Sequence, residues 1–313
     1  MTTTLDLVVT GVDHPVPGIR TVTMADPDGH PLPGFIPGSH VVVECGDRAN
    51  AYSLISDGLA PSAYSISVLR IADGAGGSEW IHTELRPGTE VRVRLPSSMF
   101  APIARATRHL LIAGGIGVTP ILSHQRAARR RGQPSKVLYA FRAGYGAHLN
   151  EIRELTDDSA ELFTSRTEFA ARLEVLLTEQ PLGTHLYVCG PAGFMDRVLE
   201  AAADAGWPQS RVHSERFSVD VLDPGAPFEV ELTATGSTLE VPPGTSLLEA
   251  LEAAGIEVPN LCRQGVCGEC RIPVTDGVPL HRDLYLSDDE RAGGEAMMAC
   301  VSRSETDFLA VPL

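Results

Sequence analysis

Hydrophobic and polar positions follow two different rhythms along this chain, and the change of rhythm divides it. Up to about residue 100 the runs are short and β-branched: His40-Val-Val-Val-Glu44, Tyr64-Ser-Ile-Ser-Val-Leu-Arg70 and Glu90-Val-Arg-Val-Arg-Leu95. Period-two alternation places successive side chains on opposite faces of a strand. Pro- and Gly-rich turns separate the runs (Pro31-Leu-Pro-Gly34, Pro37-Gly38, Pro87-Gly88), which predicts a small antiparallel barrel. From about residue 105, solid apolar strands alternate with helical stretches. His109–Ala113, Lys136–Ala140 and His185–Cys189 read as strands, and segments near 120–131 and 192–205 as helices, predicting a parallel α/β sheet. The rhythm breaks again at Val221-Leu-Asp-Pro-Gly-Ala-Pro227. The expected division is a barrel at 1–103, an α/β domain at 104–220, a linker at 221–227 and a third domain at 228–313.

Composition changes this picture little, and charge distribution more. A length of 313 residues suits two or three domains, and a hydrophobic fraction of 43% is ordinary for a soluble protein. No stretch approaches the roughly 18 apolar residues a membrane span requires. The start, MTTTLDLVVTGVDH, lacks a basic region followed by an apolar run, so no signal peptide is expected. Residues 227–313 hold fifteen acids against five arginines, while 104–226 hold fourteen of each sign. That concentration suggests docking on a basic partner surface and argues against nucleic acid.

The acidic third domain carries the strongest chemical signal. Cys262-Arg-Gln-Gly-Val-Cys267-Gly-Glu-Cys270, followed by Cys300, is C-x4-C-x2-C…C, the ligand spacing of a plant-type [2Fe–2S] cluster. Three thiolates from one tight loop need a closely coiled backbone, for which Gly265 and Gly268 supply permissive dihedrals. A zinc site would favour paired C-x2-C units, and one such pair is present. Cys45 and Cys189 remain, too few for a disulfide framework, and a reducing cytoplasm is expected.

Two glycine clusters sit where α/β sheets and helices bind phosphates. Gly114-Gly115-Ile-Gly117-Val-Thr119-Pro120 follows a strand and opens a helix; Cys189-Gly190-Pro191 ends another strand. The spacing is not G-x-G-x-x-G, which disfavours an ordinary dinucleotide fold. In the first block, Tyr52-Ser53 could set an aromatic edge and a hydroxyl against a flat ring. Gly76-Gly77-Ser78 could cradle a phosphate, with Ser78 also capping the helix. Each is weak alone, since tight turns use the same residues.

Together and in this order, these motifs resemble the phthalate dioxygenase reductase family, over residues 5 to 313. Asn50-Ala51-Tyr52-Ser53-Leu54 matches the family's R-x-Y-S-L, and Gly74-Ala75-Gly76-Gly77-Ser78 its phosphate loop. Residues 114–120 and 189–191 match its nicotinamide segments, and Glu215-Arg216-Phe217 its closing E-x-F. Asn50 and Ala75 replace two family arginines of the flavin phosphate region, so weaker flavin retention is expected. The resemblance implies a flavin barrel, a nicotinamide α/β domain and a β-grasp ferredoxin domain, with a monomeric chain and an oxygenase partner. The flavin expected is FMN rather than FAD. Val68 and Arg142 are further cofactor positions on this resemblance. A flavin would take hydride from nicotinamide and release single electrons to the cluster. Ser53 would sit near the hydride-accepting flavin atom, Phe217 would cover the ring, Cys189 would pack at the nicotinamide, and Glu215 would tune charge.

The nicotinamide itself is left open. The resemblance favours NADH, whereas Ser165-Arg166 after a strand resembles the pair that grips the 2′-phosphate of NADPH. Glu168 would repel that phosphate and could accept from a free ribose hydroxyl. The acceptor implied is an oxygenase, most often a Rieske non-haem iron enzyme, alternatively a haem monooxygenase; a free-standing flavin reductase is the rival activity. His82 and His281 read as packing residues, and no 2-His-1-carboxylate spacing is present.

Overall fold

This computed structural model describes residues 4–46, 48–71, 76–98, 100–217, 224–260, 263, 265, 268–283 and 285–313. Two compact units result, Met1–Glu215 and Arg216–Leu313.

In the first unit, β1 (Thr4–Val16), β2 (Ile19–Ala25), β3 (His40–Cys45), β4 (Arg48–Ser53), β5 (Ala63–Leu69) and β6 (Glu90–Arg94) form one antiparallel sheet. Their order is β4-β3-β6-β1-β2-β5. Alternation works as the sequence suggests: Val91 and Val93 face the core while Arg92 points to solvent. The sheet does not close along a continuous seam. Its edge strands meet at one bridge, Leu54 with Ile66, beside which Ile55 N–H donates to the Ser65 carbonyl at 2.8 Å. Beyond that point the chain leaves into the loop that leads to β5.

The second sheet of this unit is parallel: β7 (Arg108–Gly114), β8 (Ser135–Ala140), β9 (Glu161–Phe163), β10 (Thr184–Cys189) and β11 (Val212–Glu215), ordered β11-β10-β7-β8-β9. Its strands are apolar on both faces because each feeds two cores. Leu110 and Ile112 enter one cluster with Leu186 and Val188; Leu111 and Ala113 enter the other with Tyr139 and Tyr187. Each such fully buried Leu or Ile contributes about 1.5–3 kcal/mol. Helices α1 (Gly77–Thr83), α2 (Val118–Arg131), α3 (Leu149–Leu155), α4 (Arg166–Thr178) and α5 (Ala192–Asp204) complete the unit. A 3₁₀ turn at Gly115–Gly117 precedes α2, so that helix begins earlier than its sequence pattern suggests. It ends at Gly132, in the left-handed region at φ 63, after three arginines that complement the helix dipole.

The strand order also corrects an expectation. Numbered along the chain it is 3-2-1-4-5, the doubly wound order of dinucleotide folds, with its switch point between β7 and β10. The absent G-x-G-x-x-G fingerprint therefore did not exclude that topology.

The second unit is α+β. Strands β12 (Phe228–Leu232), β13 (Ser237–Val241), β15 (Asp276–Leu280) and β17 (Arg303–Val311) form a mixed sheet, ordered β13-β12-β17-β15, with β12 and β17 parallel. β14 (Arg271–Pro273) and β16 (Ala296–Met298) pair separately. Helices α6 (Leu247–Ala253) and α7 (Asp288–Gly293) each start with a capping box, Ser246 with Glu249 and Ser287 with Glu290. Among the described residues no helix is long and apolar enough to cross a membrane.

Candidate electron-transfer sites

The barrel motifs converge at the start of α1. Asn50 and Tyr52 lie on β4, and a Cβ placed on Gly77 would meet the Asn50 carboxamide at 2.1 Å, so the two motifs touch. Gly76, at φ 93, caps α1 with its own backbone, and nothing lies within 4 Å of where its Cβ would be. Ser78 is therefore inside the helix and is not its cap, contrary to the sequence reading: the left-handed glycine starts the helix two residues earlier. The Ser78 hydroxyl accepts from Ile71 N–H at 3.1 Å, which leaves its proton to donate. Beside it, Arg70 and Glu79 form a two-pronged ion pair at 2.6 and 2.7 Å.

Other barrel positions divide by burial. Ser53 is nearly buried at the end of β4, Ala51 pairs with Val42, and Leu54 and Val68 belong to the barrel core. Val68 can serve a ligand only through its backbone, and its carbonyl already meets His82 Nε2 at 2.9 Å. That contact makes His82 a packing residue. The Tyr52 hydroxyl is buried without a partner, and burial pushes its phenol pKa up. An orphaned donor and an open, donor-rich helix start fit a phosphorylated, aromatic ligand. Ala75 lies outside the described residues.

The nicotinamide-side motifs all reach the carboxyl edge of the parallel sheet, where such sheets bind ligands. Gly114, Gly115, Gly117, Thr119 and Pro120 follow β7; Arg142 follows β8; Ser165 and Arg166 follow β9; Gly190 and Pro191 follow β10. The glycines divide into two kinds. A Cβ on Gly117 would come within 2.3 Å of the Cys189 carbonyl, and one on Gly190 within 3.0 Å of Gly114 Cα. Gly114 likewise has the Phe194 ring 2.7 Å from its Cβ position. These three glycines let the two loops pack against each other at the switch point. Gly115, at φ +54 with open space beyond it, is the one that faces no protein atom within 4 Å. Thr119 spends its hydroxyl on the Ile116 carbonyl at 3.1 Å and is buried with Pro120.

Arg142 is exposed and stacks on Tyr145, 4.9 Å from the ring centroid, a partner the sequence reading missed. Ser165 caps α4, its Oγ accepting from Glu168 N–H at 3.3 Å, with Arg166 exposed on the first turn. Cys189 and Glu215 are register partners on adjacent strands. Glu215 Oε2 is buried without a hydrogen bond, and burial pushes this carboxyl up to about 8. Burial and the neighbouring Glu215 raise the Cys189 thiol, which leaves it a neutral contact and not a nucleophile. Phe217 follows the boundary between the units and is partly buried.

In the second unit Cys270 and Cys300 are buried in the core, and Cys262 and Cys267 lie outside the described residues. Gly265 and Gly268 have φ of 70 and 83. A Cβ on Gly268 would strike the Tyr285 ring at 2.3 Å, and one on Gly265 would strike Val301 at 2.6 Å. Glycine is thus required twice over at Gly265 and Gly268, by dihedral and by space, for the backbone there to lie against Tyr285 and against the turn after β16 that carries Cys300. Nearby, His281 is mostly buried with no hydrogen bond to either ring nitrogen, consistent with a packing residue.

Comparison with known proteins shows the family. The heme-dependent oxidative N-demethylase beta subunit of Ectopseudomonas mendocina is 41% identical over 97% of this chain and 97% of that protein. The phthalate 4,5-dioxygenase reductase subunit of Pseudomonas putida is 34% identical over 95% and 93%. The crystal structure of phthalate dioxygenase reductase, "a modular structure for electron transfer from pyridine nucleotides to [2Fe-2S]", superposes with a TM-score of 0.79, 32% identity and coverage of 99% and 98%. The chain belongs to the phthalate dioxygenase reductase family. Residues 230–305 match the 2Fe-2S iron-sulfur cluster binding domain, and residues 89–212 the dimethylamine monooxygenase subunit DmmA-like N-terminal domain. The chain also superposes, at a TM-score of 0.79 and 35% identity, on 41% of an intact type IV self-sufficient cytochrome P450 monooxygenase. Like other members of the family, this protein is an oxidoreductase that carries electrons from NAD(P)H through flavin and a [2Fe–2S] cluster, as the reductase component of an oxygenase system.

Proposed function

We propose that the chain uses FMN and NADH and delivers single electrons to a Rieske non-haem iron oxygenase. The observation that carries the flavin reading is the contact of Asn50 with Gly77 beside the open Gly76, which leaves room for a terminal phosphate at the start of α1. Bound flavin would supply the conversion from two-electron to one-electron transfer. Ser53 would orient the ring and Phe217 would cover it, while Gly115 and Arg142 would receive the nucleotide. Cys189 would pack at the nicotinamide and Glu215 would hold a proton beside it. Cys262, Cys267, Cys270 and Cys300 would ligate the cluster. We assign residues 1–103 to flavin, 104–220 to nicotinamide and 228–313 to the cluster, in a monomeric cytoplasmic protein whose acidic last third docks on a basic oxygenase surface.

Heat-released flavin is expected to co-elute with FMN, and an FAD peak overturns that part. Cys267→Ser, replacing a soft ligand by a hard one, is expected to lose acid-labile sulfide while keeping NADH-dependent ferricyanide reduction. Native sulfide content in the mutant would contradict the ligand set. A haem-dependent acceptor is the second reading, favoured by the 41% identity to the N-demethylase subunit. The tagged full chain, used to capture and then reduce its oxygenase, separates the two: a Soret band in the reduced partner establishes haem, and an iron–sulfur spectrum without one establishes the Rieske enzyme.

A further inference from the structure

Arg20 occupies a core position on β2, in phase with Val22 and Met24, and is 7% exposed. A guanidinium at such a position must find acceptors, since desolvating it unpaired is costly. It finds them at the far end of α1. Nη1 donates to the carbonyls of Ile81, at 3.0 Å, and His82, and Nη2 donates to that of Leu85. The carbonyls of Ile81 and His82 are among those a helix end leaves without intrahelical partners, that of Leu85 lies just past the cap, and a cation there also complements the helix dipole. The same end is tied to β5, through His82 Nε2 and the Val68 carbonyl, and Val68 is the register partner of Arg20. At its other end α1 is held by the Arg70–Glu79 ion pair and by the Ile71 N–H bond to Ser78, while Asn50 rests on Gly77 and Trp80 lies 3.6 Å from the Cβ position of Gly46.

We infer that Arg20 is a positioning residue for the flavin phosphate: by clamping the carboxyl end of α1 it aims the amides and hydroxyl of Gly77 and Ser78. The inference rests on the proposal that this loop holds the phosphate. It accounts for how Gly77 and Ser78 are held in place where Asn50 stands instead of a family arginine. A forked side chain is required, because one ammonium cannot reach carbonyls on three residues as a planar guanidinium does.

The test compares FMN with riboflavin, which differ by the 5′-phosphate alone, by fluorescence titration of the flavin-depleted full chain. Arg20→Met is expected to raise the FMN Kd about tenfold and leave the riboflavin Kd within about twofold, with Arg20→Lys in between. General destabilisation would weaken both ligands alike, so equal losses, or no loss for FMN, overturn the inference. If Arg20→Met does not fold, Arg20→Lys is read by the same ratio. If neither folds, Arg20 serves the whole barrel and the inference falls. Ser78→Ala is the control for the underlying proposal. If it changes the FMN-to-riboflavin ratio while Arg20→Met does not, only the positioning role fails. If it too leaves the ratio unchanged, the phosphate assignment fails and takes the inference with it.

Discussion

Glu215 sits beside Cys189 with one carboxyl oxygen buried and unbonded, and its pKa near 8 has a direct consequence for stability. A carboxyl that binds its proton more tightly in the folded chain than in the unfolded one penalises folding as pH rises between the two values. Stability should therefore decline from about pH 4.5 to about pH 8. Glu215→Gln, which keeps the shape and removes the titration, should flatten that decline and raise the melting temperature at pH 8 by a few degrees. The buried histidines act on the other side. His124, lowered to about 3 by burial, and His148 and His213, lowered to about 4, resist protonation when folded. Their contribution is lost as pH falls from about 6.5 toward 4. Calorimetric melting between pH 4 and 9 should give a maximum near neutrality, shifted upward in Glu215→Gln; an unchanged alkaline limb would refute the buried-acid account. At this scale the cysteine spacing made the iron–sulfur domain legible, and residues 230–305 match a 2Fe-2S iron-sulfur cluster binding domain. The sequence was not readable for Ser78, because the start of α1 depends on a left-handed Gly76. Arg20 could have been noticed as a charge in the inward phase of an alternating strand.

Among elements, the N-terminus of α4 bears on the choice of nicotinamide. Ser165 uses its oxygen as a cap acceptor, so its removal should cost about 1 kcal/mol of stability whichever nucleotide is bound. Arg166 is exposed on the first turn, where a guanidinium is placed to meet a phosphate, while Glu168 sits two positions later. Kinetics with both nucleotides on wild type and Arg166→Ala should show NADH preferred, with kcat/KM for NADH reduced only modestly in the mutant. A wild-type preference for NADPH that Arg166→Ala abolishes would reverse the assignment. Strand limits were legible to within one residue where apolar positions run unbroken, as in β7 and β10. The beginning of α2 was not, because the 3₁₀ turn at Gly115–Gly117 has no hydrophobic period of its own.

For the whole molecule, the two rhythms of the sequence foretold two kinds of sheet, since period and strand environment are local properties. Strand order is not local, so 3-2-1-4-5 could not be read from spacing, and neither could the close fit of one loop against another that the glycines at 114, 117 and 190 allow. The incomplete seam of the first sheet carries a further consequence. Among the described residues β4 and β5 are joined at Leu54 and Ile66 and by the Ile55–Ser65 hydrogen bond, with no further ladder between them, and the flavin positions expected on these strands lie along that open seam. Exposed strand margins are templates for pairing with other chains. A cofactor lying there would be a shield as well as a reagent, and a chain that holds it loosely would be prone to self-association. Protein stripped of flavin should scatter light on warming well before the loaded form does, and added FMN should suppress the scattering; equal aggregation with and without FMN would show that the margins are harmless.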